Sequence, residues 1–100
     1  MNEKKYTKSI FKYTKMISVV QIKAARVMLG WSTKVLADKA SVSIATLKKY
    51  EQQTGIPRAN ARVLNEIERA LSSAGISFTG DPLSNPGVTL DLSKRGGSDE

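Results

Sequence analysis

Three serines, Ser18, Ser32 and Ser43, each stand at the head of a short apolar pattern of helical period, and together they constrain the fold more than any other feature. A serine hydroxyl accepts a hydrogen bond from an amide that the first helical turn leaves unpaired, so each marks a helix start. The first helix is predicted from Ser18 to Leu29, with Ile22, Ala25, Met28 and Leu29 recurring on one face and Gly30 ending it. The second follows Ser32, with Val35, Leu36 and Ala40 as its apolar face. Ser41, Val42 and Ser43 interrupt, and a third helix runs to Glu51 with Leu47 and Tyr50 turned inward. Three helices this short cannot lie side by side as a long bundle. They must cross one another around a shared core.

The rest of the chain is read the same way. Gln52 to Pro57 is a loop, because Gly55 and Pro57 both disfavour a helix. A fourth helix spans Asn60 to Ala74, with Val63, Leu64, Ile67, Ala70 and Leu71 on one face and Gly75 as terminator. Beyond Gly75 the period falls to two: Ile76 and Phe78 alternate with polar residues, as do Val88, Leu90 and Leu92, across a Gly/Asp/Pro/Asn loop. That pattern predicts a two-stranded β-hairpin. An isolated hairpin is only marginally stable in water, so this one is expected to pack on the helices, pair with a second copy, or both. The expected organisation is a basic arm over 1–17, a helical domain over 18–75, a hairpin over 76–92 serving dimerisation, and a mobile tail over 93–100. In the arm, Tyr6, Ile10, Tyr13, Ile17 and Val20 fall at helical spacing between lysines. A nucleic-acid-contacting arm, a lipid-surface helix and a solvated extension all fit that pattern.

Charge narrows the function. The chain carries 16 Lys and Arg against 9 Asp and Glu, a net charge of +7. The excess lies in the first half, while 76–100 is net negative through Asp81, Asp91, Asp99 and Glu100. A one-sided positive field raises the local concentration of polyanions. Catalysis has little to work with. With no His and no Cys, the usual nucleophilic triads and zinc sites are excluded, and no glycine-rich phosphate loop is present. Glu66 and Glu68 are two apart on a helix and do not face each other. Neither enzyme activity, metal nor cofactor is expected. No run approaches the roughly 18 apolar residues of a membrane span, and the lysine-rich start lacks a secretory pattern, so a cytoplasmic location without membrane association is expected.

The segment Trp31-Ser32-Thr33-Lys34-Val35-Leu36-Ala37-Asp38-Lys39-Ala40-Ser41-Val42-Ser43-Ile44-Ala45-Thr46-Leu47-Lys48-Lys49-Tyr50-Glu51 resembles the Cro/C1-type, or XRE-like, helix-turn-helix family. The matches are the Leu36-Ala37 pair, Val42-Ser43 at the turn, Thr46-Leu47 and the closing Glu51. Ala24-Ala25-Arg26, Leu29-Gly30-Trp31-Ser32, Pro57-Arg58 and the two hairpin segments extend the resemblance over residues 18 to 92, to a small bacterial and phage subgroup with a carboxy-terminal hairpin. It implies a mainly α fold of about four helices plus hairpin, and a sequence-specific DNA-binding transcriptional regulator, most simply a repressor. The second of the paired helices would lie in the major groove of double-stranded DNA, and a homodimer would read a near-palindromic operator.

The same resemblance implies roles. Ser43, Ile44, Ala45 and Lys49 become the candidates for base edges, and Thr33, Lys34, Thr46, Lys48 and Arg58 for phosphates. Arg26 and Glu51 are expected to form a structural salt bridge, and Trp31 to pack at a helix corner. Two departures matter. Serine at position 41 replaces the glycine common at the turn, which asks for a left-handed backbone or a different turn. Ile44 and Ala45 replace polar residues and can touch a thymine methyl but cannot make bidentate hydrogen bonds, so thymines are expected beneath them. That apolar pair also keeps open a second function, a protein-interaction module of antitoxin-like or anti-activator type, whose helix-turn-helix is secondary.

Overall fold

The computed structural model describes residues 16–96, with side chains through 94. Within them five helices and two strands follow in the order α1 (Val19–Met28), α2 (Thr33–Ala40), α3 (Ile44–Glu51), α4 (Ala61–Ser73), β1 (Ile76–Thr79), β2 (Gly87–Leu90) and α5 (Leu92–Gly96). The fold is mainly helical with one two-stranded antiparallel sheet.

Each of the three serines caps its helix. Ser18 Oγ accepts from Gln21 N at 3.4 Å while Gln21 Oε1 accepts from Ser18 N at 3.0 Å, a reciprocal capping box. Ser32 Oγ accepts from Val35 N at 3.1 Å and Ser43 Oγ from Thr46 N at 3.0 Å. Asn60 does the same for α4 through Val63 N at 2.8 Å. The apolar faces these caps start converge on one core of Ile22, Ala25 and Leu29 from α1, Leu36, Ala37 and Ala40 from α2, Leu47 from α3, and Leu64, Ile67 and Leu71 from α4. Ile17 and Ile76 complete it.

The hairpin pairs Ile76 with Leu90, Ser77 with Thr89, Phe78 with Val88 and Thr79 with Gly87. Alternation turns Ile76, Phe78, Val88 and Leu90 onto the helical core and leaves Ser77, Thr79 and Thr89 exposed. Its marginal stability is thus relieved by α1 and α4 of the same chain. Gly75 is required where α4 ends: its φ is +106°, and a Cβ there would stand 2.7 Å from Asp91 O. The loop closing the hairpin is held by Asp81 Oδ1, which accepts from Leu83 N at 2.8 Å and Ser84 N at 3.2 Å.

Several sequence expectations change. Ile17, expected at the end of the arm, is fully buried, because the chain must already be inside the core to bring Ser18 to its cap. Met28 lies about 100° around α1 from the inward Leu29 and is 43% exposed, whereas Ala37 of α2, which the apolar pattern does not single out, is buried. Val63, on the expected apolar face of α4, packs half-buried at the margin of the core, and so does Val42 of the turn. Leu92 does not extend β2, because Asp91 Oδ1 accepts from Ser93 N at 3.0 Å and Ser93 Oγ at 2.7 Å and turns the chain into α5. Leu92–Gly96, partly assigned to a tail, is therefore a short helix. The arm expectation for 1–15 and the tail expectation for 97–100 fall outside the described residues.

Candidate nucleic-acid interface

The candidate site is the α2–turn–α3 unit. Its inner side is fixed by Leu36, Ala37, Ala40 and Leu47, each at most 1% exposed. The turn is made at Ser41, whose φ of 59° and ψ of 41° place it in the left-handed region. Ser41 N donates to Asp38 O at 3.2 Å and Val42 N to Ala37 O at 3.0 Å, so the last carbonyls of α2 are paired before the chain reverses. Of the two alternatives open for this serine, the structure adopts the left-handed backbone.

With Leu47 inward, a rotation of about 100° per residue puts Ala45 and Lys49 on the opposite side of α3, Ile44 and Lys48 on one flank and Thr46 on the other. Exposure agrees: Ala45, Lys48 and Lys49 are exposed, Ile44 is 40% exposed, and Thr46 is half-buried. Lys48 and Lys49 also stand in the last turn of α3, where the helix dipole favours cations.

A second feature fixes the angle of α3. Arg26 of α1 holds Glu51 with two parallel bonds, Nε to Oε2 at 2.9 Å and Nη2 to Oε1 at 3.2 Å. Its Nη1 donates to Trp31 O at 3.0 Å, and Thr33 Oγ1 donates to Glu51 Oε1 at 3.3 Å. The last residue of α3 is thereby tied to α1, to the α1–α2 corner and to the start of α2. The pair is largely enclosed, with side chains 17% and 10% exposed, and the planar fork of arginine suits this two-pronged contact. Trp31 packs half-buried at that corner, with Lys39 Nζ 5.1 Å from its ring centroid.

The phosphate candidates divide. Thr33 has its hydroxyl turned to Glu51, which leaves its backbone N–H as its candidate donor. Lys34 pairs with Asp38 at 3.1 Å, but both side chains are about 70% exposed, and such a pair is weak enough to exchange for a phosphate. Arg58 is exposed on the loop before α4, its N–H donating to Gln53 Oε1 at 2.7 Å. Arg58, Gln52, Gln53, Thr54 and Ile56 line an open depression beyond the end of α3. Gln52 and Gln53, which local sequence marks only as loop, extend the polar surface of α3. Among the base-edge candidates, Ser43 has its hydroxyl engaged twice by Thr46, as acceptor from the amide at 3.0 Å and as donor to Oγ1 at 2.8 Å.

No group of three or more ligating side chains could hold a metal ion among the described residues, and no described helix is long and apolar enough to cross a membrane. Neither a protein-family model nor a curated protein matches the chain.

Proposed function

We propose that the chain is a sequence-specific DNA-binding transcriptional regulator of Cro/C1 type, most simply a repressor, that inserts α3 into the major groove of double-stranded DNA. The observation that carries this reading is the exposed face of α3: Ala45, Lys48, Lys49 and Ile44 stand clear of the core on a helix whose only carboxylate, Glu51, is neutralised by Arg26. An exposed helix face whose charges are all cationic, tied at its far end, suits a groove walled by phosphates. Lys49 is assigned to base edges, where its ammonium can donate to guanine O6 or N7. Lys34, Lys48 and Arg58, with the first amides of α2 and α3, are assigned to phosphates. Two copies would read half-sites about 34 Å apart on a near-palindromic operator.

The test is binding of duplex DNA as a function of salt. Three cationic phosphate contacts per copy predict that log K falls with log salt with a slope on the order of −3 per copy. A flat dependence would contradict groove binding.

A second reading, a protein-interaction module, is favoured by α1. Val20, Val27 and Met28 are 57%, 67% and 43% exposed, and at spacings of three and four they fall with Ala24 along one outer side. A helix apolar on both sides is ordinarily covered. A partner held there would bind with little response to salt, which separates the two readings.

A further inference from the structure

Reading a base by hydrogen bonds requires a side-chain donor or acceptor not already used by the protein. The two side chains that the first turn of α3 turns outward, Ile44 and Ala45, have none: they expose an alkyl surface and a methyl. The hydroxyls beside them engage each other, Ser43 giving its proton to Thr46 Oγ1 and taking the Thr46 amide on its oxygen, with Thr46 half-buried on the flank. Beside Ile44 and Ala45 stand Lys48 and Lys49, so the positive charge that draws a phosphate-walled groove adjoins an apolar tip.

We infer that Ile44 and Ala45 recognise pyrimidine 5-methyl groups in the major groove and are blind to the exocyclic group beside them. This rests on the DNA-binding reading above. The methyl of thymine and of 5-methylcytosine occupies the same place in the groove, while the two bases differ next to it, in an O4 acceptor against an N4 donor. Side chains that offer no hydrogen-bonding group cannot sense that difference. They accept a thymine or a methylated cytosine, and they disfavour unmethylated cytosine or uracil at the same position. Binding at such a position is therefore sensitive to cytosine methylation.

The experiment uses the full chain and the duplex it enriches from a random DNA pool. Each thymine is replaced in turn by uracil, which lacks only the methyl, and affinity is measured at fixed salt. Removing a methyl from apolar contact is expected to weaken binding about fourfold at the positions under Ile44 and Ala45. Replacing the T·A pair there by 5-methylcytosine·guanine should restore affinity to within about twofold, while plain cytosine·guanine should not. Ile44→Ser, checked for helix content by circular dichroism, should lose the uracil penalty at one of these positions and keep the other. Sequence-selective binding in which uracil equals thymine everywhere, or cytosine equals 5-methylcytosine, overturns this inference and leaves the DNA reading standing. Failure to enrich any motif overturns both.

Discussion

Ser41 carries the turn between α2 and α3 in a backbone conformation that a side chain disfavours by roughly 1–2 kcal/mol. Ser41→Gly should therefore stabilise the fold by about 0.5–1 kcal/mol, part of the relief being offset by the extra freedom glycine gives the unfolded chain. A thermal melt checks this, with a midpoint raised by several degrees expected for a domain of this size; a lowered midpoint would mean that the serine makes a favourable contact. Glu51 is the opposite case, a residue whose loss should be severe. Glu51→Gln leaves the enclosed Arg26 guanidinium without its counter-charge and should destabilise by about 3 kcal/mol. Chemical denaturation measures the loss, and the Arg26→Met/Glu51→Met double variant should lose less than the sum of its single variants. Strictly additive losses would show that the two side chains do not act as a pair.

At the scale of elements, one side chain adds hydrogen bonds between α1 and the hairpin to their apolar packing. Gln21, 2% exposed, uses its Oε1 for the α1 cap and its Nε2 to donate to Thr79 O at 3.3 Å and Gly87 O at 3.0 Å. Gln21→Ala should destabilise by about 1–2 kcal/mol and lower amide-exchange protection across 76–79 and 87–90 more than in α4; equal loss everywhere would refute a local tie. At the other end of the hairpin, hydrogen bonds from the Ser93 side chain and then its backbone hold the Asp91 carboxyl below the usual aspartate range, opposed by desolvation and helped by the Lys94 backbone and charge. A lowered folded-state pKa contributes stability above the unfolded value, and that stability is lost as pH falls through the folded value. The start of α5 should accordingly fray only under strong acid, and a carboxyl titration followed by NMR should place the Asp91 midpoint below the ordinary aspartate value of about 3.9. An Asp91 midpoint at or above that ordinary value would contradict the cap. The helix starts were legible in the sequence because a capping serine or asparagine and a helical apolar period are local signals. Ser18 followed by Gln21 also carries the capping-box spacing, but that Gln21 reaches a strand some sixty residues on is a tertiary fact with no local trace. The end of β2 was misjudged for a related reason: Leu92 keeps the period of two, and only the Asp91–Ser93 bonds show the chain turning away.

For the molecule as a whole, the basic first half and the helical unit of α2 and α3 coincide, and that coincidence underlies the proposed function. The mainly helical architecture with its hairpin was readable in advance. In the candidate site, the residues of α3 that stand outward follow from Leu47 being inward. The commitments of Thr33 to Glu51 and of Ser43 to Thr46 do not, since both depend on how close neighbouring turns come in space. Salt dependence tests whether nucleic acid is bound, but the central claim is that α3 reads sequence. The most direct measurement is selection of duplexes from a random DNA pool by the intact chain, repeated with Lys49→Ala. A two-fold-related motif with half-sites one helical turn apart is expected, and with Lys49→Ala a relaxed preference at one guanine position per half-site. No enriched motif from a protein shown to be folded, or a motif unchanged by the substitution, would contradict it.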